Sequence, residues 1–347
     1  MKAAVLYQFD EALTNPDWLT YEEVPDPVIE RPTDVIVRIG GAGVCRNDLH
    51  LIQGLWRRSM RIELPLILGH ENAGWVEEIG SSVTAVRVGD PVIVHPLAGR
   101  DCHPFHRSLA AGGREPDGYP GFTRHGGFAE YLLTDERMLL RLPPHISPME
   151  AAPLADAGLT AYSVARKASN KLSPGHYILV LGAGGVGHVG IQLLRVLTAA
   201  EIIVVDKSAS ALGLAREAGA HYTFAAEGRY TEKIMALTGG RGVEVAIDFV
   251  GEDSTLAWGL SVTRRGGYYY LVGYGGRLTI SAFDLILSEK SIFGVFCGGL
   301  SELGDLLTLV DRGLVAVTTR EYPLSDANGA LHDLRECRNS GRLVLIP

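Results

Sequence analysis

Short apolar runs, separated by glycine and proline, fill the first half of the chain, and none of them sustains a helical period. The runs at 2–7, 34–39, 74–79, 91–94 and 127–133 predict short strands, because β-branched and apolar residues suit a half-buried pleated sheet. Strands of this kind, joined by long connections, predict a mostly antiparallel, barrel-like domain. From about Ser147 the pattern changes. Compact, largely apolar runs at 177–181, 202–205, 243–249, 268–272 and 291–296 alternate with Ala- and Leu-rich stretches at helical spacing, 186–197, 209–218, 230–238 and 254–262. Runs of this kind are buried on both faces, as parallel strands are. Strands alternating with helices predict an α/β, doubly wound parallel sheet. The tail holds one amphipathic segment, 325–338, and a short strand, 341–346, expected to return to the first domain. The pattern divides the chain into one domain of 1–155 with 291–347 and another of 156–290.

A length of 347 residues allows each domain its own core, and 46% apolar with 21% charged residues is ordinary for a globular chain. The net charge of −8 argues against a nucleic-acid partner. The apolar runs fall short of a membrane span, and the start reaches Gln8 and Asp10 without a signal-type core, so no membrane partner and a cytoplasmic location are expected. Cysteines 45, 102, 297 and 337 show no close pairing. A cytosolic chain keeps them reduced, which makes a conspicuous one a ligand candidate before a disulfide partner.

Gly182-Ala-Gly184-Gly185-Val186-Gly187 follows the apolar run ending at Leu181 and opens the helical stretch 186–197. In that context backbone N–H groups at a positive helix end face a pyrophosphate. Asp206 closes the next apolar run, nineteen residues after Gly187. A carboxylate there accepts hydrogen bonds from a ribose 2′-hydroxyl and repels a 2′-phosphate, so NAD is expected rather than NADP, with Lys207 as its neighbour.

Cys45, in Gly43-Val-Cys-Arg-Asn-Asp-Leu-His50, and His70, in Gly69-His-Glu-Asn-Ala-Gly74, stand on glycine-bracketed segments. Two ligands do not hold a catalytic zinc; three protein ligands and an open position do. These two motifs occur in order with Gly-Asp-x-Val at 89–92, Gly-Gly-Phe-Ala-Glu-Tyr at 126–131 and the glycines at 182–187. Together they resemble the zinc-dependent medium-chain alcohol dehydrogenases over essentially the whole chain, and among them the bacterial and archaeal secondary-alcohol branch.

The resemblance implies a GroES-like barrel carrying the catalytic zinc and a Rossmann domain carrying NAD. It implies a third ligand after the Ala-Ala-Pro-Leu run, where Asp156 stands in place of the usual cysteine. Carboxylate carries the same charge as thiolate, so the zinc charge stays balanced. Asp156 is alternatively a helix N-cap before Ala157. The resemblance further implies Glu71 as an alternate oxygen near the zinc and Asp48 as the acceptor that orients His70. Arg46 and Arg342 match positions that clamp the coenzyme pyrophosphate, and Thr160 matches one at the nicotinamide. Trp56 and Leu97 are candidate pocket walls.

Asn47 departs from the pattern, since the family normally places Ser or Thr there to pass on the alcohol proton. An amide holds an oxygen but relays protons poorly. The expected route therefore runs through a water or a coenzyme ribose hydroxyl to His50. The four cysteines that hold a second, structural zinc in many relatives correspond to Gly99, Cys102, Phe105 and Gly113, so that zinc is expected to be absent. Cys102, His103 and His106 are expected to be surface loop residues, with an improvised metal site as the alternative. The resulting reading is a homo-oligomer, a tetramer, that interconverts alcohols and ketones or aldehydes by hydride transfer to NAD, with 291–296 as the pairing edge. A polyol or sugar dehydrogenase, and an NAD-binding protein without turnover, are the alternatives.

Overall fold

The computed structural model describes residues 1–97, 118–227, 230–339 and 341–347. Gly99, Cys102, His103, Phe105, His106 and Gly113 lie outside them. By its contacts the chain divides into two units: Met1–Ala157 with Gly299–Arg312 and Val317–Pro347, and Gly158–Gly298 with Gly313–Ala316.

In the first unit a long strand, β3 (Asp34–Val44), is the spine. It pairs antiparallel with β5 (Glu71–Ile79), β7 (Tyr131–Asp135) and β16 (Arg342–Ile346). The sheet continues from β5 to β6 (Pro91–Val94) and β8 (Leu139–Arg141), and from β16 to β15 (Thr319–Pro323). A smaller sheet pairs β1 (Lys2–Leu6) with β2 (Leu19–Glu23) and β4 (Leu66–Ile67). Val35, Val37, Ala42 and Leu132 are buried in this unit's core.

Two expectations are corrected here. β3 runs on to Val44 rather than stopping at Ile39, because its glycines are packing positions and not breakers. A Cβ on Gly43 would fall 2.0 Å from Glu71 Oε2 on the paired strand. The first half of the chain also holds a helix, Arg46–Ile52, whose two turns are too short to show a period. Asp48 starts it by accepting the Cys45 backbone N–H at 2.8 Å.

In the second unit six strands pair in parallel in the order β11 (Tyr222–Ala225), β10 (Glu201–Asp206), β9 (Tyr177–Leu181), β12 (Val243–Asp248), β13 (Thr263–Leu271) and β14 (Ser291–Gly294). The order reverses at β9, which creates a switch point at the carboxyl ends of β9 and β12, where doubly wound sheets bind ligands. Ile178, Leu179, Ile203 and Ala246 are fully buried. The helices Gly187–Leu197, Ala209–Glu217, Tyr230–Leu237 and Asp253–Val262 connect the strands. The return expected at 291 falls later, since Ser291–Gly294 pairs with β13 and the chain re-enters the first unit at Gly299.

Candidate functional site

Three stretches of the first unit converge on one buried cluster. Cys45 directly follows β3, His70 directly precedes β5 and Glu71 opens it, and Asp156 precedes the helix Ala157–Ser169. A ligand atom from each of the four lies within 4.8 Å of every other. All four residues are buried. His70 Nε2 is 3.4 Å from Asp156 Oδ2, and His70 Nδ1 is 3.4 Å from Asp48 Oδ1. Burial pushes the His70 imidazolium towards losing its proton, yet Asp48, Asp156 and Cys45 overcome this and hold its pKa well above the ordinary value. The surroundings thus call for a positive charge at this point.

A metal fits that demand. His70 Nε2 and Glu71 Oε2 are buried atoms that no described hydrogen bond satisfies, and such orphans carry a desolvation cost unless an ion takes them up. Thiolate, imidazole and carboxylate within a few ångströms are zinc donors. Glu71 is itself tightly held: Arg342 Nη2 pairs with its Oε1, which also accepts the Ala157 backbone N–H at 3.2 Å. Arg342 is buried on β16, and its pKa is raised because Glu71 and Cys45 outweigh the effect of burial.

Asn47, half-buried, and His50 lie on the helix after Cys45, and Arg46 is exposed there. Burial, and then the Arg46 charge, push the His50 pKa down to about 4, which keeps the ring neutral near pH 7. The ring of Trp56 stands 5.2 Å from that of Phe122, edge to face. Phe122 and Tyr119 stack 4.0 Å apart, and their ring centres are 5.2 and 6.2 Å from that of His70. Tyr119 and Phe122 escape the sequence reading, because only the fold brings them beside His70. Gly121 was the available signal: its φ is +76°, and a Cβ there would meet the Gly69 backbone carbon at 2.8 Å, so these segments approach as only glycine permits. Leu97 is buried, its carbonyl 2.8 Å from His95 Nδ1.

In the second unit the turn after β9 has Gly182 at φ +87°, and a Cβ on Gly187 would fall 2.0 Å from the Gly182 carbonyl oxygen. A Cβ on Gly184 would meet nothing within 4 Å, leaving open space above the turn. Gly185 and Val186 lead into the helix Gly187–Leu197. Asp206, at the end of β10, accepts the Ala183 N–H at 2.7 Å and the Ser208 N–H at 2.8 Å. Lys207 pairs with Glu252 at 3.3 Å. Thr160 is buried in the helix Ala157–Ser169.

Residues 31–144 match the alcohol dehydrogenase GroES-like domain and residues 185–312 the zinc-binding dehydrogenase domain. An alcohol dehydrogenase from the hyperthermophilic archaeon Aeropyrum pernix has a solved structure with TM-score 0.92 and 40% identity, each chain covering 100% of the other. A D-arabinose 1-dehydrogenase (NADP(+)) of Saccharolobus solfataricus is 36% identical over 100% of this chain and 97% of its own. An NAD-dependent alcohol dehydrogenase of Sulfurisphaera tokodaii is 33% identical over 95% of this chain and 96% of its own. The chain belongs to the zinc-type medium-chain alcohol dehydrogenase family, with its GroES-like and parallel-sheet nucleotide-binding architecture. No described helix is long and apolar enough to cross a membrane.

Proposed function

We propose that the protein oxidises secondary or primary alcohols to ketones or aldehydes, and runs the reverse reaction, with NAD as the hydride acceptor. The buried convergence of Cys45, His70 and Asp156 carries this reading. These three residues would hold one zinc per chain, with Glu71 as an alternate oxygen, and the ion would supply Lewis-acid polarisation of the substrate oxygen. Asp48 orients the His70 ring from its far side. The turn 182–187 offers its N–H groups to the pyrophosphate, Asp206 accepts the ribose hydroxyl and Thr160 lies at the nicotinamide, whereas Arg342, expected as a pyrophosphate clamp, is buried and engaged by Glu71 instead. Asn47 holds the substrate oxygen by hydrogen bonding. His50, neutral near pH 7, takes the released proton only in transit, through a water or ribose hydroxyl, and passes it on to solvent. Trp56 and Leu97, joined by Tyr119, wall the pocket.

The D-arabinose relative favours a second reading, a sugar or polyol dehydrogenase. The aromatic rings beside His70 speak for less polar substrates. Metal analysis, with a panel of 2-butanol, 1-phenylethanol, sorbitol, D-arabinose and threonine, separates the readings. We expect about one zinc per chain and the highest kcat/KM on the first two alcohols. Under about half a zinc per chain, with no turnover restored by added Zn²⁺, would overturn the enzyme reading. In the same assay His50→Gln should change the pH–rate profile, and an unchanged profile removes His50 from the route.

The enzyme is proposed to be a cytoplasmic homo-oligomer, a tetramer; among the described residues Cys45, Cys297 and Cys337 are free thiols and Cys337 is exposed, which suits a reducing compartment. β14 closes the six-stranded sheet as an edge, and beside it in sequence Phe283 and Ile286 are 68% and 72% exposed. An apolar edge of this kind invites pairing with its own copy. Ile286→Asp is expected to yield a smaller species in sedimentation analysis. A mass equal to the parent's would count against this face.

A further inference from the structure

The dinucleotide turn has a wall behind it. A Cβ on Gly182 would lie 2.7 Å from Val250 Cγ2, and one on Gly190 would lie 2.8 Å from Phe249 Cζ. Phe249 and Val250 are thus packed directly against the backbone that must stay in its left-handed bend. The Phe249 N–H also donates to the Leu181 carbonyl at 3.0 Å, tying this corner to the last residue of β9.

The corner lies just past the end of β12, where strand pairing gives out, and a single carboxylate shapes it. Asp248, fully buried, accepts the N–H groups of Val250 at 2.8 Å and Gly251 at 2.9 Å on Oδ1. Its Oδ2 accepts the Thr255 hydroxyl at 2.8 Å and the Tyr269 hydroxyl at 2.7 Å. Bonds to an ionised acceptor are short and strong, and four donors meet the need of a carboxylate with no access to water. Tyr269 comes from the neighbouring strand, β13, and is fully buried. It fits because residue 259 is glycine: a Cβ there would lie 2.8 Å from the tyrosine ring.

We infer that Asp248, clamped by Tyr269 and Thr255, is a positioning residue for coenzyme binding, acting through the Phe249 and Val250 corner on the turn at Gly182. None of these side chains needs to touch the coenzyme. Their contribution is to keep the pyrophosphate-binding N–H groups aimed before the ligand arrives, which lowers the ordering cost of binding. The inference rests on the NAD reading of that turn.

The test titrates NAD into zinc-loaded enzyme by calorimetry, for the parent, Tyr269→Phe, Val250→Ala and the double variant. Tyr269→Phe keeps the ring and removes one donor; Thr255→Val removes the other if that chain does not fold. Each single variant is expected to weaken NAD binding about five- to tenfold, with zinc content at the parent level. The double variant should be little worse than the weaker single, because both act through one contact. Unmoved NAD affinity in Tyr269→Phe, or fully additive losses, overturns the inference and leaves the network a support of the sheet alone. A parent that binds no NAD overturns the coenzyme reading itself, a different failure.

Discussion

Asp156→Ala is expected to lose its zinc and its turnover together. The variant retains Cys45 and His70, two ligands where a catalytic zinc needs three. Glu71 keeps Oε2 unengaged in the cluster, but its carboxylate is fixed through Oε1 by Arg342 and by the Ala157 N–H, so it does not swing into the place of Asp156. Removing groups that only orient a ligand costs about 10- to 100-fold in metal affinity or activity, so losing the ligand itself should cost at least about 100-fold in each. Asp156→Cys, which restores the usual family donor, is expected to keep its zinc. The measurements are zinc per chain after dialysis and kcat with 2-butanol. Full occupancy with normal turnover in the alanine variant would remove Asp156 from the shell and leave it a cap for the helix behind it.

Arg342→Met should be the most destabilising single change in the first unit. It preserves much of the side-chain volume but leaves Glu71, fully buried, without its cation. Breaking a buried pair by removing one partner costs about 3–5 kcal/mol, which corresponds to a fall in Tm of about 10 °C. Protonation of Glu71 limits the loss, so the defect should shrink as the pH is lowered towards the carboxylate range. Replacing both residues, Arg342→Met with Glu71→Gln, should recover part of the stability, because no charge then remains buried. The readout is thermal unfolding of the metal-free protein by circular dichroism at several pH values. A single variant that melts within a degree of the parent would show that the pair carries little weight.

The parts of the molecule legible in its sequence are those governed by local rules. The dinucleotide turn is one: strand, glycines, helix and Asp206 are consecutive, and each constrains the next. The largely apolar runs that become β9, β10 and β12 are another, since burial on both faces leaves few polar positions along them. β11 is missed because Tyr222–Ala225 is only partly buried and has no continuous apolar run. The metal cluster was only half legible. Cys45 and His70 stand out by their glycine-rich settings, whereas Asp156 stood out only through the resemblance. The bond between Glu71 and Arg342 spans 271 positions, and no periodicity reports a contact of that range. The glycines of β3 misled for the opposite reason, since a residue that breaks a strand in solution extends one where two backbones must nearly touch.

The grip of Arg342 on Glu71 also sets an order of events during synthesis. The cluster is drawn from positions 45, 70, 71 and 156, but the cation that balances it arrives only with β16. While the ribosome has yet to release that strand, the nascent chain has its donors in hand and an uncompensated acid among them. Domains emerging from the N-terminus fold as units when they can, and this one lacks the buried partner of Glu71 until β16 pairs with β3.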